Sequence, residues 1–235
     1  MKRILPVLMC LFTQATFAQN VDELIQKYAD ALGGLDNIKK VETCKMTGTG
    51  TQQGITFPVT LQIINGKAMR LDVEVMGQKI INCYNNGTGW KQNPFEGIES
   101  PTEVVDDELA ELKSQTYLAN PLIDYKERGN TVELAGTENI NGTDASKIIL
   151  TDAATGKKTT YYLDAQTSMP IKTVSTRDIN GMEMEVETFS DDLKDINGLK
   201  FFMSRSQKID GQEILSIKFD KVELNVPIDE SIFKM

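Results

Sequence analysis

No histidine occurs among the 235 residues. That removes the usual general base of a serine or cysteine hydrolase and the commonest zinc ligand. Gly48-Thr49-Gly50 with Gly54 has glycines spaced like a phosphate loop, but no Gly-Lys-Ser/Thr ending follows and the next segment is strand-like, so it reads as a hairpin turn. Asp106-Asp107-Glu108 offers ligands for a hard cation, yet consecutive residues on a helix point in different directions, and the run reads as a solvated face. Asp191-Asp192 reads as a polar turn. Trp90, the single tryptophan, could stack on a ligand at a rim, with packing as its ordinary role. Cys44 and Cys83 fall on different predicted strands, and both a disulfide and two buried free thiols are compatible with that placement. With these groups set aside, no catalytic residue, metal ligand or cofactor motif is nominated, and binding rather than catalysis is expected.

Charge and targeting narrow the partners. Asp and Glu total 34 against 25 Lys and Arg, a net charge of −9, and such a surface repels phosphate backbones, so nucleic acid is not an expected partner. Met1-Lys2-Arg3, the apolar run Ile4 to Phe12 and the small-residue site at Thr16-Phe17-Ala18 form a secretory leader, residues 1–18, with cleavage near Ala18 and export to the periplasm. Met9 is too bulky to precede a lipidated Cys10. No other run has the length of a membrane helix, so the chain is not expected to span a membrane, and residues 19–235 are expected to form one domain.

Two helices and many strands must position whatever binds. Val21, Leu24, Ile25, Tyr28 and Leu32 share one helical face, with Asn20 and Glu23 as a capping box and Gly33-Gly34 as the stop. Residues 100–125 read as a second helix. Ser100-Pro101-Thr102-Glu103 supplies the start, Val105, Leu109, Leu112 and Thr116 the apolar stripe, and Pro121 the end. Between the helices, Ile55 to Ile63 and Met69 to Val75 alternate strictly, and Asn65-Gly66 joins them as an antiparallel hairpin. After the second helix come further strands, including Met182, Met184 and Val186 set against Glu183, Glu185 and Glu187. A final pair is joined at Asp210-Gly211, and a phase slip at Asp220-Lys221 predicts a bulge. The expected fold is mainly β with α, an antiparallel half-barrel of about 11–12 strands, curled because so long a sheet does not stay flat.

Two helices cover only part of such a sheet, so its concave face is expected to hold room for an apolar guest. The expected lining is Phe57, Val59, Leu61, Met69, Leu71, Val73, Val105, Leu109, Leu112, Met182, Met184 and Phe201, with Met46, Met76, Met203 and Tyr161 also offered inward. Methionine suits surfaces that accept variable apolar shapes.

Several short segments then add up to a resemblance: Ala31-Leu32-Gly33-Gly34, Asn120-Pro121-Leu122, Tyr162-Leu163-Asp164 with Thr167, Pro170-Ile171-Lys172, Phe189-Ser190-Asp191, Asn197-Gly198-Leu199-Lys200-Phe201 and Asn225-Val226-Pro227-Ile228-Asp229. In order and spacing they resemble the periplasmic lipoprotein carriers of the LolA/LolB-like superfamily, and more closely its outer-membrane lipoprotein-sorting proteins. The resemblance spans nearly the whole chain beyond the leader. It implies a half-open β-barrel with a helical lid at residues 100–125. It also implies lipoprotein acyl chains or another lipophilic ligand in the interior, with membrane-associated donor and acceptor proteins as partners. Arg70 falls on the polar side of its strand and is not matched to the family's lid-contacting arginine. The other class of function compatible with this fold is an envelope module that senses a protein or lipid without transporting it.

Overall fold

The computed structural model describes residues 14–179 and 181–235. Most of the expected leader, residues 1–13, lies outside them. A helix α1 (Gln14–Ala31) runs through Asn20, so Asn20 is inside the helix and not its cap. The expected apolar face is in place, with Val21, Ile25, Tyr28 and Leu32 buried and Leu24 half-buried against the same core. At the C-terminus Gly33 and Gly34 take φ of 107° and 87°, and the amide of Gly34 reaches the Ala29 carbonyl at 2.9 Å while that of Gly33 reaches Asp30 at 3.0 Å. This paired closure satisfies carbonyls that the last turn would leave free. One further turn, α2 (Leu35–Lys39), leads into the sheet.

Thirteen antiparallel strands form a single sheet. The first meander comprises β1 (Thr43–Gln52), β2 (Ile55–Ile64), β3 (Ala68–Val75), β4 (Gln78–Asn85), β5 (Thr88–Asn93) and β6 (Ile98–Val104). The second comprises β7 (Thr131–Ile140), β8 (Thr143–Thr151), β9 (Lys158–Asp164), β10 (Pro170–Ile179), β11 (Met182–Ile196), β12 (Leu199–Ile209) and β13 (Gln212–Leu224). They join through β1 and β13, the first strand and the last, so β6 and β7 are left as two unpaired edges and the sheet is not closed. The fold is therefore the expected curled half-barrel, with one strand more than the upper sequence count.

Strand β6 is that strand. It consumes the segment read as a helix start: Ser100, Pro101 and Glu103 lie in an edge strand, where a proline's missing N–H breaks no ladder. The real helix α3 is short (Asp106–Ser114) and carries Asp106, Asp107 and Glu108 in its first turn, where acids complement the N-terminal end of the helix dipole. It ends seven residues before Pro121, and turns fill the stretch up to β7. Two other expected turns are wholly or partly strand, and of the turn expected at Gly48 to Gly54 only Gln53-Gly54 turns the chain, between β1 and β2. Gly48 and Gly50 lie inside β1, and Asp191-Asp192 lies inside β11, where Asp192 takes a φ of 55°. Gly48 is there because a Cβ would fall 2.0 Å from the Lys218 carbonyl oxygen at the bulge. That bulge, a register shift between Thr47 and Gly48 facing Lys221 and Phe219, is the one predicted from the phase slip. The hairpins at Asn65-Gly66 and Asp210-Gly211 form as expected.

Two cores sit on the concave face and a third on the convex face. The largest packs α1 and the turns around Leu122 and Ile123 onto Ile148, Leu150, Tyr161 and Leu163 of β8 and β9. Another places Leu112 of α3 over Cys44, Ile63, Met69, Tyr84 and Met203. On the convex side the chain's last residues cross β3 to β5, and Phe233 fills a nest of Ala68, Ile81, Cys83 and Trp90.

Segments that carry the sequence resemblance meet in space. The Leu32 carbonyl accepts from the Lys200 amide at 3.0 Å, and a Cβ on Gly33 would fall 2.5 Å from the Gly198 oxygen, so the end of α1 is seated on the β11–β12 turn. Asn225 fixes the start of β1 by accepting from the Glu42 amide at 2.9 Å.

Candidate functional site

Strand register assigns the concave lining residue by residue. Directly opposed residues in an antiparallel pair share a face. One row across the sheet reads Phe57, Gly50, Ile217, Arg205 and Ser190 on β2, β1, β13, β12 and β11. A neighbouring row runs from Leu71 through Leu61 and Met46 to Val222. Another runs from Leu215 through Gln207, Thr188 and Thr173 to Tyr161 and Ile148. At the centre Gly50 leaves the sheet without a side chain, and the Phe57 ring lies in the space, within 2.2 Å of where a Cβ would stand.

The structure sorts the twelve nominated residues into three groups. Met69, Phe57, Val59 and Leu112 are buried. Leu61, Leu71, Val73, Met184 and Phe201 are half-buried on the concave face, as are Leu215 and Ile217, and Leu109 is half-buried on α3. Val105 and Met182 do not belong with them: they are 58% and 60% exposed, because Val105 precedes the first turn of α3 and Met182 sits at the β10–β11 hairpin tip. Met76, also offered inward, is 80% exposed at the β3–β4 turn. Hairpin tips project past the core, and alternation alone does not register where a strand stops being covered.

The interior is more filled than the sequence led one to expect. Under α1 it is solid, with Leu122, Ile148 and Leu163 fully buried. Two surface depressions, of about 340 Å³ beside Asn37, Asn197 and Asn225 and about 470 Å³ beside Gln78, Gln92 and Phe95, are lined by none of the nominated residues. Away from α1 the concave residues Leu61, Leu71, Val73, Leu215 and Ile217 are half-buried and not sealed.

The cover there is thin. α3 rests on Gly89 of β5, where a Cβ would come within 2.8 Å of both Leu109 and Val104. Only Leu112 of its nine residues is buried. Its other anchors are the half-buried Leu109, the Ser114 carbonyl that accepts from Arg128 at 3.2 Å, and surface ion pairs of Glu108 with Lys91 at 2.8 Å and Glu111 with Lys157 at 2.5 Å, of a kind that contributes little in water. The connection beyond it is held more firmly. Arg128 binds Asp124 at 2.6 Å and the Ala119 carbonyl at 2.8 Å and stacks on Tyr117, while Asn65 accepts from the Leu118 amide at 3.2 Å and donates to the Val41 carbonyl at 2.9 Å. Burial nevertheless raises the pKa of Asp124, with Arg128 opposing it. α3 and this connection together bridge the open edges β6 and β7.

Arg70 stands on the convex face, as its strand phase required. It binds Asp72 at 2.7 Å and the Ile232 carbonyl at 2.6 Å, and so pins the C-terminal segment. Trp90 is buried beneath that segment and donates to the Phe233 carbonyl at 3.2 Å. Cys44 faces the concave core and Cys83 the convex one, so both are free thiols on opposite sides of the sheet. Burial pushes each thiol up to about 12. Strand reading missed Arg177 and Arg205. The signal was there: Phe201, Met203, Arg205 and Gln207 share one phase of β12, and an arginine in phase with core residues must face the concavity.

No family model and no curated protein matches the sequence. Solved structures do. A DUF1329 family protein from Desulfovibrio piger superposes with a TM-score of 0.60 at 10% identity, over 93% of this chain and 97% of that one. A LolA superfamily protein from Nitrosomonas europaea gives 0.58 at 12% identity, over 91% and 97%. A domain named for outer membrane lipoprotein sorting from Vibrio parahaemolyticus gives 0.58 at 12% identity, over 92% and 97%. The likeness is one of fold: this chain is a LolA-like half-barrel.

Proposed function

We propose that this protein is an exported periplasmic carrier that binds an acyl chain, of a lipoprotein or another lipophilic molecule, on the half of its concave face that α3 covers. The observation that carries the reading is the run of half-buried apolar residues on the concave face, Leu61, Leu71, Val73, Leu215 and Ile217, on a sheet whose helix α3 has one buried residue. Likeness of fold to a lipoprotein-sorting domain supports the ligand class. The leader expected at residues 1–18 supports the compartment.

Magnitudes favour exchange of the cover for a ligand. Leu112 and Leu109 hold α3 with on the order of 3–5 kcal/mol of apolar burial, whereas a ~16-carbon chain stands to gain on the order of 10 kcal/mol by leaving water. An incoming chain can therefore displace the leucines and still gain. The chain carries no nucleotide-binding motif, so release depends on an acceptor that binds the lipid better.

A second reading is favoured by the solid packing beneath α1: the same fold could recognise an envelope protein or lipid signal and carry nothing. Mass spectrometry of the protein purified from the exported fraction without detergent distinguishes them. The carrier reading predicts bound acyl chains released on extraction, and a protein free of lipid that also takes up none from vesicles rejects it.

A further inference from the structure

Among the described residues seven large apolar side chains are exposed, and four of them stand at hairpin tips: Ile55 after the β1–β2 turn, Met76 in the β3–β4 turn, Phe95 between β5 and β6, and Met182 at the β10–β11 tip. All four tips are at one end of the sheet. β1, β3 and β5 run toward that end, so the connections that follow them share it, and Thr51 opposite Ser216 puts the start of β13 there too. Glu187 opposite Lys208 then sets the start of β11 beside the end of β12, where β12 turns into β13. The β11–β12 turn that seats α1 lies at the other end. Measured from the opposed pair Val59 and Val73, Ile55 and Met76 reach nearly the same height. None of the four belongs to a core, and a depression of about 470 Å³ lies between Phe95 and Gln78, which follows the Met76 turn.

Single exposed apolar residues are ordinary on a soluble surface, but four gathered on one rim mark an interaction surface. We propose that this rim docks on the interfacial layer of a zwitterionic lipid bilayer. Each side chain projects from its own hairpin, so a protein partner would need a separate pocket for each, whereas a bilayer interface takes separate apolar side chains at any spacing once they share a level. Charge selects the lipid. Within three positions of the four side chains Lys79 is the only base, against Glu74, Glu96, Glu183 and Glu185, and the chain as a whole carries −9. Anionic membranes recruit polybasic segments, and this rim has the opposite sign. Gln52, Gln53, Gly54 and Thr56 around Ile55, and Gly77 and Gln78 after Met76, are uncharged, so these two tips reach headgroup level with no ion to desolvate. The docking goes beyond the carrier reading and uses other residues, but the two join: Ile55 and Met182 continue the strand phases of Phe57 and Met184 out to the rim.

The test is flotation of the protein purified from the exported fraction with phosphatidylcholine vesicles, and with vesicles that also contain phosphatidylglycerol, beside binding of a soluble fluorescent acyl probe. The variants are Met76→Ser with Phe95→Ser, Ile55→Ser with Met182→Ser, and Met235→Ser as an exposed apolar residue off the rim. Wild type and Met235→Ser are expected to float with phosphatidylcholine, each rim pair to lose at least about tenfold in partitioning, and phosphatidylglycerol to weaken the wild type. Every substituted side chain is exposed, so melting temperature and probe binding are expected to stay at wild-type values. Wild type that binds the probe and no vesicle overturns the docking and leaves the carrier reading standing. Flotation that the rim pairs lose, in a protein that binds no probe, leaves the docking standing and overturns the carrier reading. Flotation equal in every variant overturns the assignment to these tips, and flotation that strengthens with phosphatidylglycerol overturns the lipid class. Self-association without flotation, abolished by the rim pairs, makes a second copy the occupant and overturns the bilayer.

Discussion

At the scale of single residues, the two cysteines report on the two faces independently. Cys44 is sealed by the concave core and Cys83 by Phe233, and both are poor nucleophiles because burial pushes their pKa up to about 12. The folded protein is expected to leave both thiols unmodified by a thiol reagent. Phe233→Ala, at a cost of about 3–5 kcal/mol, is expected to expose Cys83 while Cys44 stays protected, with peptide mapping as the readout. Modification of both at equal rates would show that the convex nest is not a separate unit. Asp22 supplies a second probe. Hydrogen bonds from Tyr125 and Lys126 hold its carboxyl below the 3.8 of a free aspartate. A depressed folded pKa contributes stability above the unfolded value, and that contribution disappears as pH falls through the lower folded value. The difference in melting temperature between wild type and Asp22→Asn is therefore expected to be present near pH 5 and to shrink as the pH falls below 3.8. A difference that persists in acid would mean the Asp22 contacts do not hold α1.

Among the elements, α3 is the part on which the proposed binding turns. Gly89 has no side chain because Leu109 and Val104 occupy the place of its Cβ. Gly89→Val is expected to lift α3 at a cost of about 1–3 kcal/mol, seen as faster amide exchange confined to residues 106–114 with α1 unchanged. Exchange that rises equally in α1 would show that the two covers are one unit. The length of α3 was also the least legible feature of the sequence. Ser100-Pro101-Thr102-Glu103 has the residue types of a helix start, but they serve an edge strand equally well, and only the pairing of Gly89 with Val104 decides between the two. Gly48 and Gly50 misled in the same way: glycine marks a turn or a close approach, and here the approach of Lys218 and Phe57 is a contact distant in sequence. By contrast α1, the hairpin at Asn65 and the bulge facing Lys221 were legible, because periodicity, turn chemistry and phase are local properties.

For the whole molecule, an open sheet whose two edges are bridged by one short helix and a tethered connection is a shape suited to taking up a guest from the side. The curled half-barrel followed from the count of strands and the scarcity of helix. The division of its interior did not, since the solid half beneath α1 and the thinly covered half beneath α3 differ in packing and not in residue type. For the same reason Val105, placed by its helical stripe, and Met182 and Met76, offered inward with the other methionines, lie outside the covered region. The most direct test is titration of a fluorescent acyl probe against wild type, Leu71→Asp on the concave wall and Met76→Asp at the exposed hairpin tip, each confirmed folded by circular dichroism. Wild type and Met76→Asp are predicted to bind alike and Leu71→Asp to lose binding by at least about a hundredfold, since a buried carboxylate is strongly disfavoured beside an acyl chain. Equal binding by all three folded proteins would contradict the account.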